Sequence, residues 1–321
     1  MRSLLNKNIL VTGGAGFIGS HLTDNLSKIP VANLIVIDNL FIGLKENLNL
    51  VKNFKSFKFF NDDATDLNIL SYLIKKFQID IVFNCATKPL NYSFINPKKA
   101  FDVNTKIALN LLELQREKLF STLCHFSTSE VYGTSQGQFM KEDHPLNPIT
   151  PYAAGKLSAD MAILSYHKTF DLDAFIVRPF NNFGPRQNPL QPLAGIIPLT
   201  ITRILDNRPP IIHGDGSQSR DFIFVEDTID NITNIFSVIN KGDVVNVASN
   251  NEITVIDLIK KISDKMGYKG DFKFLKKRDA DVVRHRGSSA RLKKLIKQKI
   301  TNFDNALIKT IKWYSRKYKN V

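Results

Sequence analysis

Short, mostly apolar runs rich in β-branched residues alternate along the first half of the chain with longer stretches whose apolar positions recur every three or four residues. The runs are Asn8–Thr12, Leu34–Asp38, Phe57–Phe60, Asp80–Asn84, Thr122–Ser127 and Ala174–Arg178. They do not alternate apolar with polar, which is the pattern of strands covered on both faces. The stretches between them, Ser20–Ser27, Ile69–Phe77, Pro97–Arg116 and Pro151–Phe170, read as helices. Regular strand–helix alternation predicts an α/β fold with a doubly wound parallel sheet. Near residue 179 the texture changes. Proline and glycine cluster through Arg178-Pro-Phe-Asn-Asn-Phe-Gly-Pro-Arg186 and again through Arg208-Pro-Pro-Ile-Ile-His-Gly-Asp-Gly216. The expected division is a sheet-forming domain over 1–178, which takes back a segment near 221–248, and a smaller α/β region over 179–321 with helices at 254–266 and 303–318.

Composition narrows the class. Hydrophobic residues make up 43% of the chain, too many for a disordered segment. No apolar run approaches the ~18 residues that cross a bilayer, and the N-terminal residues lack the pattern of a secretory signal. The two cysteines, Cys85 and Cys124, each lie within an apolar run, so buried free thiols are expected, with no metal site. A cytoplasmic location fits these features. The net charge of +14 is concentrated: sixteen of the 44 Lys and Arg, but only three of the 30 Asp and Glu, fall in residues 273–321. Helical patterning in that region favours a solvated surface near a site for an acidic substrate over a nucleic-acid-binding tail.

The strongest local signal is Ile9-Leu-Val-Thr-Gly-Gly-Ala-Gly-Phe-Ile-Gly-Ser20. Gly13, Gly16 and Gly19 follow a predicted strand and open a predicted helix. The first permits a tight turn, the second lets a pyrophosphate approach bare backbone, and the third lets helix and strand pack closely. Free backbone N–H groups and the helix dipole then favour phosphate. Asp38 ends the next strand, placed to accept hydrogen bonds from ribose hydroxyls and to repel a 2′-phosphate. A Rossmann-type site for NAD, rather than NADP, is predicted.

Tyr152 and Lys156 share one face of a predicted helix. A phenol is a poor base near neutrality; a nearby ammonium and a positively charged nicotinamide ring would favour the phenolate. Tyr152 can then take a proton from a sugar hydroxyl as hydride leaves. The turn Phe126-Ser-Thr-Ser-Glu-Val-Tyr-Gly133 follows another strand at the sheet edge where ligands bind. Thr128 is placed there to orient the reacting hydroxyl, and Glu130 to move a second proton or steer a carboxyl group.

Together these elements resemble the extended short-chain dehydrogenase/reductase family, and within it the nucleotide-sugar epimerases, dehydratases and decarboxylases. The resemblance covers nearly the whole chain, including Thr12-Gly-Gly-Ala-Gly-Phe-Ile-Gly19, Asp38-Asn39, Val103-Asn104, Ser127-Thr-Ser-Glu-Val-Tyr-Gly133, Arg178-Pro-Phe-Asn181, Gly214-Asp-Gly-Ser-Gln-Ser-Arg-Asp-Phe222 and Trp313-Tyr314. It implies bound NAD, a nucleotide-diphosphate-sugar substrate oxidised at C4 to a 4-keto sugar, and a homodimer, with neither nucleic acid nor membrane as partner. It also implies that Phe17, Ile18, Asn39, Asp63, Ala64, Ala86, Asn104 and Ser127 help hold NAD, and that Ser129, Asn181, Arg220, Arg278 and Asp281, with Thr128, contact the substrate. Ser129 stands where dTDP-glucose 4,6-dehydratases carry an aspartate, which counts against that subgroup. Asn84-Cys85 replaces the family's commoner His-x, and Lys88-Pro89 follows where small residues are usual. A 4-epimerase leads on whole-chain resemblance; a UDP-glucuronate-type decarboxylase or GDP-mannose-type 4,6-dehydratase gives Glu130 a clearer task. A non-catalytic NAD or nucleic-acid binder is disfavoured, because Tyr152, Lys156, Thr128 and Glu130 are all present.

Overall fold

The computed structural model describes residues 2–137, 139–278, 280 and 282–318. Six strands follow the apolar runs: β1 (Asn8–Thr12), β2 (Asn33–Ile37), β3 (Phe57–Phe60), β4 (Ile81–Asn84), β5 (Thr122–Phe126) and β6 (Asp173–Pro179). They join Val244–Val247 in a seven-stranded sheet in the order Val244–Val247, β6, β5, β4, β1, β2, β3. All neighbouring pairs are parallel. From β1 the chain winds outward through β2 and β3, then crosses to β4 and winds the other way. The loops after β1 and β4 therefore diverge and open a crevice at the carboxyl edge of the sheet.

Helices α1 (Phe17–Leu26), α2 (Leu67–Lys76), α3 (Pro97–Arg116) and α4 (Pro151–Phe170) connect these strands. Alternate residues of each strand enter different cores. Ile9 and Val11 pack with Leu22, Val36 and Phe236 on one face; Leu10 packs with Ile35, Val82, Leu111 and Ile163 on the other. Local signals fix the helix starts. Asp66 accepts from the backbone of Asn68 and Ile69, Asn96 from Lys99 and Thr150 from Ala153, and Pro97 and Pro151 stand in first turns, satisfying N–H groups that a helix end leaves open. α1 begins a turn earlier than its composition suggested, because the glycine turn feeds straight into it.

Downstream, Asn181–Phe183 and Glu252–Thr254 flank Ser219–Phe224, and Ile211–His213 pairs with Lys273–Leu275. Helices Ile196–Leu205, Val255–Met266 and Phe303–Tyr318 close a third core around Phe183, Ile201, Phe224, Leu258 and Leu307. The basic C-terminal region is built into the body: Arg284, Arg291, Lys299, Lys309 and Lys317 pair with Glu252, Asp243, Asp230, Glu226 and Glu46. Among the described residues no helix is long and apolar enough to cross a membrane.

Candidate active site

A cleft of about 480 Å³ runs from the crevice between β1 and β4 to the downstream region. Its first wall is the glycine turn. Gly13 adopts φ +67°, and a Cβ there would meet Ala86 Cα at 2.6 Å; one on Gly19 would meet the Gly13 carbonyl at 2.2 Å. Both glycines are thus demanded by the protein's own packing. A Cβ on Gly16 would touch only the Gly13 carbonyl, at 3.2 Å, so its bareness chiefly leaves the cleft open. No side chain caps α1, and the N–H groups of its first turn remain for an anion. Asp38 is buried at the rim, accepting from Ala15 N at 2.9 Å and Leu40 N at 2.8 Å. Burial raises its pKa against those hydrogen bonds. Asn39 donates to Asp63, and Phe17, Ile18, Ala64 and Ala86 complete this end of the cleft. The arrangement fits a dinucleotide: an anion cradle, then a carboxylate at ribose distance along the sheet edge.

The reactive centre lies where the ends of β4, β5 and α4 converge. Ser127, Thr128, Glu130 and Tyr152 line the cleft together with Thr87, and the two threonines act on the Tyr152 phenol. Burial pushes Tyr152 up to about 12, the two threonines pulling down and Glu130 pushing up. Lys156 is buried behind it, its Nζ donating to Phe126 O at 2.8 Å. Burial brings Lys156 down to about 8, against the attraction of Asp160. The expectation joined the ammonium to the charge of a nicotinamide ring; among the chain's own groups it is the threonines that lower Tyr152. The protein's own groups leave Tyr152 neutral, because desolvating the phenolate costs more than its neighbours return.

The opposite wall holds Asn181, Arg220 and Arg278, with His213 and Gln218. Asn181 Nδ2 is buried without a hydrogen-bond partner among the described residues, a donor suited to a phosphate oxygen. Arg220 Nη1 donates to Ser219 O at 2.8 Å, and Arg278 Nη2 lies 3.3 Å from His213 Nε2. Asp281 lies outside the described residues. Three predicted contacts do not line the cleft: Lys156, buried behind Tyr152, Asn104 and Ser129. Asn104 is buried behind its wall, where Oδ1 accepts from Lys88 N and Thr87 Oγ1, both at 2.9 Å; it braces that loop. Ser129 is buried within the turn after β5.

Other parts of the wall were not singled out from the sequence. Thr87, in the stretch Asn84–Thr87 expected at the NAD site with Ala86 as its contact, lines the cleft as well. Lys88, buried between Asp38 and Asp63, sets its Nζ 3.2 Å from the centre of the Phe41 ring. Gln187, Asn188, residues 193–196 and Leu199 close the downstream side; their proline-rich text signalled turns, not chemistry. Cys85 lines the cleft, Cys124 is buried, and both are free thiols.

Comparison with known proteins agrees with this geometry. The profile of the NAD dependent epimerase/dehydratase family matches residues 9–248. The UDP-glucose 4-epimerase of Mycolicibacterium smegmatis is 31% identical over 311 residues, covering 96% of this chain and 98% of that protein. The structure of UDP-N-acetylglucosamine 4-epimerase from Methanobrevibacter ruminantium M1, in complex with UDP-N-acetylmuramic acid, is 33% identical with a TM-score of 0.89, covering 98% and 99% of the two chains. That of DesIV, a dTDP-glucose 4,6-dehydratase from Streptomyces venezuelae with NAD and TYD bound, is 27% identical with a TM-score of 0.92 and covers 98% of both. With a sheet that reverses at the glycine turn and a Tyr152–Thr128 pair facing it, the chain belongs to the NAD dependent epimerase/dehydratase family, as an NAD-dependent enzyme that modifies nucleotide sugars.

Proposed function

We propose that this enzyme is a 4-epimerase of a nucleotide-diphosphate sugar. The observation that carries the reading is the position of Tyr152 and Thr128 in the cleft wall, between a dinucleotide crevice on one side and Asn181, Arg220 and Arg278 on the other. Bound NAD supplies the hydride acceptor and a positive charge beside the phenol. The chain's residues do the rest. Asn181 and the two arginines hold the diphosphate; a planar guanidinium suits that task. Thr128 aims the C4 hydroxyl at Tyr152, which takes its proton. Lys156, fixed by the Phe126 carbonyl, steadies the ribose next to the ring. The resulting 4-keto sugar then turns over within the cleft, and Tyr152 returns the proton as hydride reaches the other face.

One observation favours a second reading. Glu130 is a carboxyl in the cleft wall, and a pure epimerase has no need of it. Loss of water or of CO₂ from the 4-keto sugar does. The experiment that separates the readings incubates the purified protein with UDP-, GDP-, CDP- and dTDP-sugars and identifies products by mass and NMR. An unchanged mass with inverted C4 supports epimerisation, a mass loss selects the second reading, and no turnover of any sugar removes both. We further assign NAD binding to residues 1–178 with 221–248 and substrate binding to the remainder, and infer a cytoplasmic homodimer. The outer faces of α3 and α4 support the dimer, because they expose Phe101, Leu109 and Met161.

A further inference from the structure

Lys88 occupies a position where the family usually carries small residues, and neither proton transfer nor sugar-nucleotide binding uses it. It is 5% exposed and lines the cleft. Asn104 pins its backbone, accepting from Lys88 N at 2.9 Å and donating to Lys88 O at 3.3 Å. Nζ lies 3.2 Å from the centre of the Phe41 ring and 5.7 Å from that of Tyr92, and the two rings meet edge to face at 5.1 Å. Among the described residues no hydrogen bond or ion pair reaches Nζ. Phe41 follows β2, Lys88 and Tyr92 follow β4, and β1 with its glycine turn runs between those strands. Strands two places apart are roughly 10 Å from each other, so these side chains join two loops across the turn that β1 feeds. Charge says what belongs there. Asp38 and Asp63 line this half of the cleft and act on the Lys88 charge. Lys88 is the one lysine among the described lining residues, and Arg220 and Arg278 stand on the opposite wall. Without Lys88, a pyrophosphate on the glycine turn would meet two carboxylates and no cation. A buried ammonium without a counter-anion is unfavourable in turn, and a ring face offsets only part of that cost.

We propose that Lys88 is a cofactor-binding residue: its ammonium, seated on Phe41, binds the pyrophosphate of NAD, and the contact of Lys88 and Tyr92 with Phe41 clasps the dinucleotide between the loops after β2 and β4. The glycine turn offers the phosphates N–H donors, and Lys88 adds a full charge. A lysine suits the task as a compact point charge with three donors. Asp38 and Lys88 then act on different parts of one ligand, the carboxylate on ribose hydroxyls and the ammonium on phosphate. NAD leaves when Lys88 lifts from Phe41, whereas a sugar nucleotide held at the opposite wall exchanges with the clasp shut. The inference rests on NAD as the cofactor and is indifferent to which sugar is turned over.

The test uses the full-length enzyme with NAD bound and no sugar, and follows exchange of the bound NAD against an excess of radiolabelled NAD. Lys88→Met keeps an apolar stem on Phe41 and removes the charge. It should release NAD roughly 10–100-fold faster, the size expected for a hydrogen bond to a charged group. Lys88→Arg should stay near the wild-type rate, and Phe41→Ala, which removes the seat, should also speed release. Competition against labelled NAD then identifies the contact. Lys88→Met should weaken ADP-ribose by a similar factor and leave adenosine, which has no phosphate, unchanged. An unaltered release rate in Lys88→Met overturns the proposal, and so does an equal loss for ADP-ribose and adenosine, which would make Lys88 a support of its loop only. Lys88→Gln carries the same comparisons where Lys88→Met does not fold. Neither assay needs turnover, so failure of the sugar panel and failure of this inference are separate results.

Discussion

Replacing Arg178 with methionine removes the cation from an ion pair that is almost wholly buried. Asp160 is inaccessible and Arg178 is 2% exposed. Asp160 Oδ2 accepts from Arg178 Nη2 at 2.9 Å, Arg178 Nε at 3.0 Å and Ser127 Oγ at 2.9 Å, while Arg178 Nη1 donates to Tyr132 OH at 2.9 Å. Methionine keeps the length and apolar bulk of the arginine stem but leaves Asp160 with one donor. Breaking one partner of a buried pair costs about 3–5 kcal/mol. At roughly 2 °C per kcal/mol for a chain this long, Tm should fall by about 6–10 °C. The loss should depend on pH. Burial already raises the Asp160 pKa with Arg178 in place, and removing the cation raises it further above the unfolded value. The folded variant then holds a proton that the unfolded chain releases, so its stability is greatest in acid and falls as pH rises, by at most about 1.4 kcal/mol per pH unit. Thermal denaturation of wild type and variant from pH 5 to pH 8 measures both effects. The double variant Asp160→Leu, Arg178→Met should recover much of the loss, because no orphaned charge remains. A single-variant loss below about 1 kcal/mol, or a double variant no better than the single one, refutes the argument that an uncompensated charge sets the cost.

The remaining predictions concern the site and its assembly. Tyr152→Phe should reduce kcat by about 10²–10⁴-fold while NAD stays bound, as read by absorbance of the released nucleotide after denaturation; an unchanged kcat removes the phenol from the mechanism. With Lys156 brought down to about 8, its cation is lost as pH rises through that value, so the rate should show an alkaline limb near pH 8 that Lys156→Arg abolishes in whatever activity remains. Arg220→Ala should raise KM for the sugar nucleotide by roughly 10–100-fold, the worth of a charge-assisted hydrogen bond, with NAD content unaffected; a changed NAD content would place Arg220 on the wrong ligand. If the proposed dimer forms through the outer faces of α3 and α4, wild type should sediment as a dimer and Leu109→Glu with Met161→Glu as a monomer; a variant sedimenting as a dimer moves the interface elsewhere.

What could be read in the sequence was local. β1, β3, α3, α4 and Phe303–Tyr318 begin and end where their patterns do, because continuous apolar strands and capped, proline-started helices carry their own boundaries. The strand Val244–Val247 was harder: it is four residues long, contains Asn246, and is a strand because β6 offers it an edge. The same division runs through the site. Glycines, Thr128 and Tyr152 belong to short motifs whose chemistry follows from spacing. Thr87 and Lys88 stand in the cleft wall because the fold brings them to those motifs, and Lys156 points at the Phe126 carbonyl for a reason only tertiary geometry supplies. Asn104, expected at the NAD site, has its amide engaged by the loop at Thr87 and Lys88, a partner that only the fold supplies.

The atypical Asn84 shows how such a tertiary reason constrains identity. Thr12 Oγ1 donates to Asn84 Oδ1 at 2.7 Å, and Asn84 Nδ2 lies 3.0 Å from His125 Nδ1. The asparagine oxygen is occupied as an acceptor, so its nitrogen donates and His125 Nδ1 must accept. Burial holds His125 well below its usual pKa, so the ring is neutral and its proton sits on Nε2. That nitrogen faces Asp160 Oδ1 across 3.9 Å, the orphaned oxygen of the carboxylate that holds Ser127 and Arg178. One direction of donation therefore runs from Thr12 at the end of β1 through Asn84 on β4 to His125 on β5, and stops there, since His125 Nε2 and Asp160 Oδ1 are both buried without a hydrogen-bond partner among the described residues. Asparagine satisfies it because it offers an acceptor and a donor on one rigid amide. A neutral histidine at 84 accepting from Thr12 would also have one N–H to give, but from a larger ring in a position that is 1% exposed, where added volume strains the packing. The departure from the common family pattern at this position thus follows from the size of the space and the direction of its hydrogen bonds, not from a different chemistry in the cleft.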